Sequence, residues 1–200
     1  MNTAILKSKI HLENERVLLL PFENDRQQEL KEIIFDDGIW EFMGMFVKTE
    51  ADFDAYVKNT IADKQKGICY PFLIIDKTSG KVAGSSRYGY LNLPSEKCEI
   101  GWTWYGTAFQ GTGLNKAAKY ELLRFGFEQI GFRRIQFSAD EENIRSRRAI
   151  EKLGAQKEGV FRNNYIDSKG ESRNDVYYSI INEDWAQVKK EHFKEFRTFT

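Results

Sequence analysis

The residues Gln110-Gly-Thr-Gly-Leu-Asn-Lys116 place two glycines, a hydroxyl and a cation between an apolar run and an amphipathic stretch. Gly111 and Gly113 let a backbone approach a ligand closely and take conformations closed to other residues. Where a helix begins at such a point, the N–H groups of its first turn have no partner in the chain. From Thr112 through Leu114 and Asn115 they would point at whatever lies in the loop, which suits an anion and above all a phosphate. Lys116 and Lys119 add positive charge. The same spacing also describes a plain tight turn. A nucleotide P-loop is excluded because GxxxxGK[ST] is absent, and the third glycine of a dinucleotide fingerprint would fall at Lys116.

Other reactive side chains are few. The cysteines are Cys69 and Cys98 and the histidines His11 and His192, none in metal-ligand spacing. No metal is expected, and two cysteines are too few for a disulfide framework, so the chemistry must rest on carboxylates, hydroxyls and backbone groups. Thirty basic residues balance thirty acidic ones. That balance argues against a nucleic-acid partner, which would draw a basic excess. No run reaches the roughly 18 apolar residues of a membrane span, so no membrane partner is expected and the location is read as cytoplasmic.

The elements that must position these residues follow from periodicity. Residues 12–22 read as a strand, 25–37 as a helix, and Thr49-Glu-Ala-Asp52 as the start of another helix whose apolar face is Phe53, Tyr56, Val57 and Ile61. Tyr70–Ile75, Lys81–Leu91 and Lys97–Tyr105 read as an antiparallel meander, the last of them being the fourth strand. Helix 112–129 stops at Gly131, Arg133–Ala139 is the fifth strand, and helix 143–153 ends at Gly154. Strands at 156–167 and 173–181 follow, then a tail at 183–196 with helical character. This is one α/β domain over residues 1–200, with a core at about 12–182, a C-terminal tail at 183–200 and a mixed, mostly antiparallel sheet of about seven strands flanked by helices.

With that order of elements, two blocks resemble the GNAT acetyltransferases, and among them the RimJ/RimL-like branch of ribosomal-protein N-terminal acetyltransferases. Gln110-Gly-Thr-Gly113-Leu-Asn115 is similar to the family's acetyl-CoA loop, [Gln/Arg]-x-x-Gly-x-[Gly/Ala], with Asn115 in place of a small residue. Asn143-Ile-Arg-Ser146, running on to Leu153-Gly154, is similar to the family's Asn-x-x-Ser…Leu-Gly stretch. The resemblance implies a sheet splayed at strands four and five, acetyl-CoA as cosubstrate, and an amine acceptor that is a small molecule or a protein N-terminus. It implies that Asn143 contacts the cofactor near its pantetheine arm. The tyrosine many relatives carry seven residues after that Asn is Ile150 here, so Ser146 takes its place at the sulfur. Relatives occur as monomers or homodimers.

Transfer from a thioester to an amine needs a base, a stabilised carbonyl oxygen and a protonated leaving thiolate. Glu99, in the run Glu-Ile-Gly-Trp where relatives carry an acidic residue facing the amine, is the candidate base, and burial would raise its pKa. Ser146 is the candidate donor to sulfur. Gly101 is consistent with a bulge that parts the strands and leaves amides for the pantetheine, with Trp102, Thr103 and Trp104 lining the slot. Alternation turns Cys98 to the opposite face from Glu99, which disfavours an acetyl-enzyme. Trp40 to Phe46 and Tyr88 and Tyr90 fit either acceptor contacts or core packing. A non-catalytic acyl-CoA-binding module is the competing reading, and a nucleotide-binding α/β domain is a third.

Overall fold

The computed structural model describes residues 1–196; the last residues of the C-terminal tail, Phe199 among them, lie outside the described residues. Eight strands form one sheet in the order β1-β2-β3-β4-β5-β6-β8-β7. Their ranges are β1 Leu12–Glu13, β2 Val17–Pro21, β3 Tyr70–Asp76, β4 Val82–Asn92, β5 Lys97–Tyr105, β6 Arg134–Asp140, β7 Gln156–Ile166 and β8 Ser172–Ile181. Every pairing is antiparallel except β5 with β6. The helices are α1 Glu50–Gln65, α2 Leu114–Phe125, α3 Ile144–Glu151 and α4 Asn182–His192.

Two sequence expectations need correction. The first strand is a hairpin, which makes eight strands rather than seven. Asn14 folds it: its Oδ1 accepts from the N–H groups of Arg16 and Val17 at 2.9 and 3.1 Å, an Asx turn that reverses the chain. Residues 25–37 form no α-helix. Asp25–Glu32 winds as a 3-10 helix capped by the Asn24 side chain, and its buried residues Gln27 and Leu30 lie three apart, the spacing at which a 3-10 helix aligns side chains. Elsewhere the local signals hold. Thr49 and Asp52 close a capping box at α1, and Gly131 and Gly154 take left-handed φ values of 84° past the helical segments they end.

The core has two layers because the sheet is covered on both faces. Phe72 and Ile74 of β3 pack with α2, α3 and α4, whereas Leu73 and Ile75 pack with α1 and the 3-10 segments before it. A strand buried on both faces is apolar throughout, as Tyr70–Ile75 is. Beyond β4 the α1-side face turns polar. It carries Glu99 of β5 and Gln136 and Ser138 of β6, joined by hydrogen bonds.

Candidate active site

Gly111 and Gly113 have φ of 73° and 85°, and a Cβ on either would meet nothing within 4 Å. Conformation, not crowding, is what calls for glycine at both positions. α2 starts directly after Gly113 with no side-chain cap. The backbone N–H groups of residues 111 to 116 donate to no acceptor among the described residues; the first amide to find one is that of Ala117, which bonds to the carbonyl of Gly113. Leu114 is in the core, so only its amide faces the loop. Thr112 Oγ1 donates to the Phe109 carbonyl at 2.8 Å. Asn115 makes no side-chain bond to cap the helix. Lys116 leans away onto Glu195 of the tail.

The second block comes to the same place. Asn143 caps α3, its Oδ1 accepting from the Ser146 N–H at 2.9 Å, and its amide nitrogen donates to no acceptor among the described residues. The Ser146 hydroxyl, on this first turn and half-buried, has no hydrogen-bond partner among the described residues. Gln110 ties the blocks together: its Nε2 donates to the Tyr105 carbonyl at 3.1 Å and its Oε1 accepts from Arg145. Gln110, Asn143, Ile144 and Arg145, with Phe42 and Thr107, line an open cavity of about 550 Å³. Arg145 is a cation at this site that motif reading passed over, because it occupies a free position of the Asn-x-x-Ser pattern.

Between these blocks the sheet opens. β5 and β6 pair only at Lys97, Cys98 and Glu99, opposite Arg134, Ile135 and Gln136; beyond that both continue without pairing to each other. On the other edge of β5, Ser85 faces Trp104 while Arg87 faces Gly101, so Ser86 stands opposite both Trp102 and Thr103. The bulge therefore sits at Trp102, whose φ of 49° is left-handed, one residue past the glycine expected to form it. Such bulges turn a strand and end its regular pairing.

The bulge also shifts the alternation. Thr103 and Tyr105 face α2, while Trp104 falls into the α1-side core, its Nε1 donating to Tyr56 Oη at 3.1 Å. The Trp104 indole therefore does not line the slot, a correction to the sequence expectation. Trp102 lies against Gly89, where its ring atoms leave no room for a Cβ, and meets Tyr90 edge to face at 5.0 Å. Trp40 and Tyr88 are fully buried core; Tyr90 is exposed.

Glu99 is buried where β5 and β6 part. Gln136 Nε2 and Ser138 Oγ donate to its two oxygens at 2.8 and 2.9 Å. Burial raises its pKa above the ordinary carboxylate range, opposed by those two bonds. Gly101 serves this carboxylate, since a Cβ there would stand 3.1 Å from Glu99 Oε1. Cys98 is buried on the opposite face, among the α2-side core, and burial pushes its thiol well up.

Lys119, placed by sequence beside the loop, instead runs into the protein beneath the opening. Its Nζ donates to Thr103 Oγ1 at 2.6 Å and Ser86 Oγ at 3.4 Å, with the Phe137 ring 5.8 Å away. Only 5% exposed, it has no carboxylate within 4 Å among the described residues, and burial lowers its pKa to about 7.

A sheet that parts beside a run of unpaired helix-start amides defines a protein that takes an extended, phosphate-bearing acyl carrier. The open strand edges match the two amides of a pantetheine and the loop matches its pyrophosphate, so the residues present fit acetyl-CoA. The chain belongs to the acetyltransferase (GNAT) domain family, whose model matches residues 16–156, and it is an N-acetyltransferase of a family that uses acetyl-CoA. It is 27% identical over 178 residues to the uncharacterized N-acetyltransferase YnaD of Bacillus subtilis strain 168, covering 88% of this chain and 99% of that one. It is 26% identical over 191 residues to YdaF of the same strain, whose name proposes a ribosomal N-acetyltransferase, covering 88% and 97%. A structure from T. thermophilus, solved as a candidate acetyltransferase, superposes with a TM-score of 0.83 at 30% identity, covering 94% of this chain and 97% of the other. Among the described residues no cluster of His, Cys, Asp or Glu could hold a metal, and no helix is long and apolar enough to cross a membrane.

Proposed function

We propose that the whole chain works as one acetyltransferase unit, and that acetyl passes directly from acetyl-CoA to a primary amine while both are bound. The observation that carries this is the placement of a buried carboxylate, Glu99, at the point where β5 and β6 part. Acetyl-CoA supplies an acetyl group activated as a thioester. The amides of residues 111 to 116 bind its phosphates, with Arg145 adding charge, and Asn143 Nδ2 meets the pantetheine. Glu99 takes the amine proton, directly or through a water. A backbone N–H near the Trp102 bulge faces the carbonyl oxygen, and the unpartnered Ser146 hydroxyl donates to the sulfur. The proposed roles of Glu99 as base and Ser146 as donor favour this reading over a purely acyl-CoA-binding one.

The Asn143-x-x-Ser146 block and the likeness to YdaF support the RimJ/RimL-like branch, with a protein N-terminus or a small amine as acceptor and a cytoplasmic location. The reading is tested with purified protein, acetyl-CoA and a panel of peptide N-termini, polyamines and amino acids, following free thiol. Amine-dependent CoA release is expected; none with any amine, in protein that binds acetyl-CoA by calorimetry, would sink it.

A further inference from the structure

A second cavity, of about 320 Å³, opens on the α1-side face of the sheet, away from the cofactor loop. Its polar lining is Tyr56, Asn59, Thr60, Asp52 and Asp63 of α1, and Arg87 of β4. The two carboxylates are accounted for by their own surroundings. Asp52 Oδ2 accepts the N–H groups of Lys48 and Thr49 at 3.1 and 2.9 Å, and Asp63 lies 3.6 Å from Lys66 Nζ. Arg87 differs. It is half-buried, and no carboxylate lies within 4 Å of it among the described residues. Its guanidinium rests 4.5 Å from the Trp102 ring, with a thiol contact to Cys69 at 3.9 Å. Neither neighbour neutralises a charge, and a guanidinium offers a planar fork that matches two oxygens of a carboxylate or phosphate.

Register links this cavity to the proposed base. Arg87 and Gly89 share one face of β4, and Gly89 stands opposite Glu99 on β5. Two strand residues span about 7 Å. The surface between the two groups is the Trp102 indole, seated on Gly89.

We propose that Arg87 is the anion-binding end of the acceptor site, so that the acceptor is a primary amine carrying a carboxylate or phosphate at the far end of a short apolar body. The amine meets Glu99, the body lies along Trp102, and the anionic group reaches Arg87 at the cavity mouth. This rests on the acetyltransferase reading above, with Glu99 at the amine.

Matched acceptors test it: 4-(aminomethyl)benzoate against 4-(aminomethyl)benzamide, and tyramine phosphate against tyramine, at saturating acetyl-CoA. At least one anionic probe should exceed its neutral match by about 10-fold or more in kcat/KM, mainly through KM, as expected for a charge-assisted bond. The member of the pair that gains tells carboxylate from phosphate. Arg87→Gln should abolish the advantage while leaving the neutral amines within about 2-fold, and Arg87→Lys should keep part of it. Equal rates for anionic and neutral acceptors would overturn the subsite and leave the acetyltransferase reading standing. So would an Arg87→Gln loss shared by all four probes, which would mark a structural role. Absence of transfer to every amine, these four and simple ones alike, would instead overturn the acetyltransferase reading, and the subsite with it.

Discussion

Glu99 shows how one residue's chemistry depends on what its neighbours omit. A carboxylate this far from water would favour its neutral form, and the bonds from Gln136 and Ser138 restrain that tendency. Gly101 leaves the volume the carboxylate occupies. The raised pKa fixes the sign of the pH dependence: the base form grows as pH climbs through Glu99's pKa, so kcat/KM should rise over a range above that of an ordinary carboxylate. Glu99→Gln keeps the size and the two neighbouring donors but cannot take a proton. Turnover is expected to fall by about 100-fold or more, the usual scale for a general base, while acetyl-CoA affinity holds. A variant with wild-type turnover and the same acidic limb would remove Glu99 from the chemistry. The type and neighbourhood of this residue were legible in the sequence. Its hydrogen-bond partners were not, because they come from β6, 37 and 39 residues away.

At the scale of elements, what was legible is what is local. The glycine loop and the Asn143 cap each act within a few residues, and the structure builds both where the sequence put them. What was missed depends on register. One bulged residue at Trp102 reverses the facing of everything after it, so Trp104 is core and Thr103 meets α2. Helical periodicity likewise set Lys119 on α2 but could not show that Thr103 and Ser86 would receive it. The loop carries its own prediction. Gly113→Asp puts a side chain on a left-handed φ of 85° and a negative charge among the amides proposed to bind the phosphates. Calorimetry should show acetyl-CoA binding weakened by at least about 10-fold, a loss of about 1.4 kcal/mol, and the thermal midpoint should also fall, because a side chain at this left-handed φ costs about 1–2 kcal/mol even where the space is open. Unchanged affinity would move the pyrophosphate elsewhere.

For the whole molecule, Lys119 measures what the opening between β5 and β6 costs. The ammonium sits in the α2-side layer with two hydroxyls and an aromatic face for company, and Glu99, lying toward the other face, is the carboxylate whose charge reaches it. A charge held this way weakens the fold whenever it is present. Its pKa near 7 when folded lies below the roughly 10.4 of an exposed lysine. Across the interval between them the unfolded chain binds more protons than the folded one, so the Lys119 contribution to stability rises with pH and is lost as pH falls through about 7. Lys119→Met keeps the apolar stem and removes the titration. Thermal melts of both proteins should therefore show the variant ahead at about pH 6 and the wild type closing the gap by about pH 9. At this chain length each 1 kcal/mol of the difference is about 2–4 °C. Parallel curves over that range would mean that Lys119 is charged and compensated throughout, and that the layer beneath the opening holds water or a counter-charge. If acetyl-CoA fills the opening and excludes solvent from it, saturating cofactor should steepen the wild-type dependence and leave the variant's slope alone.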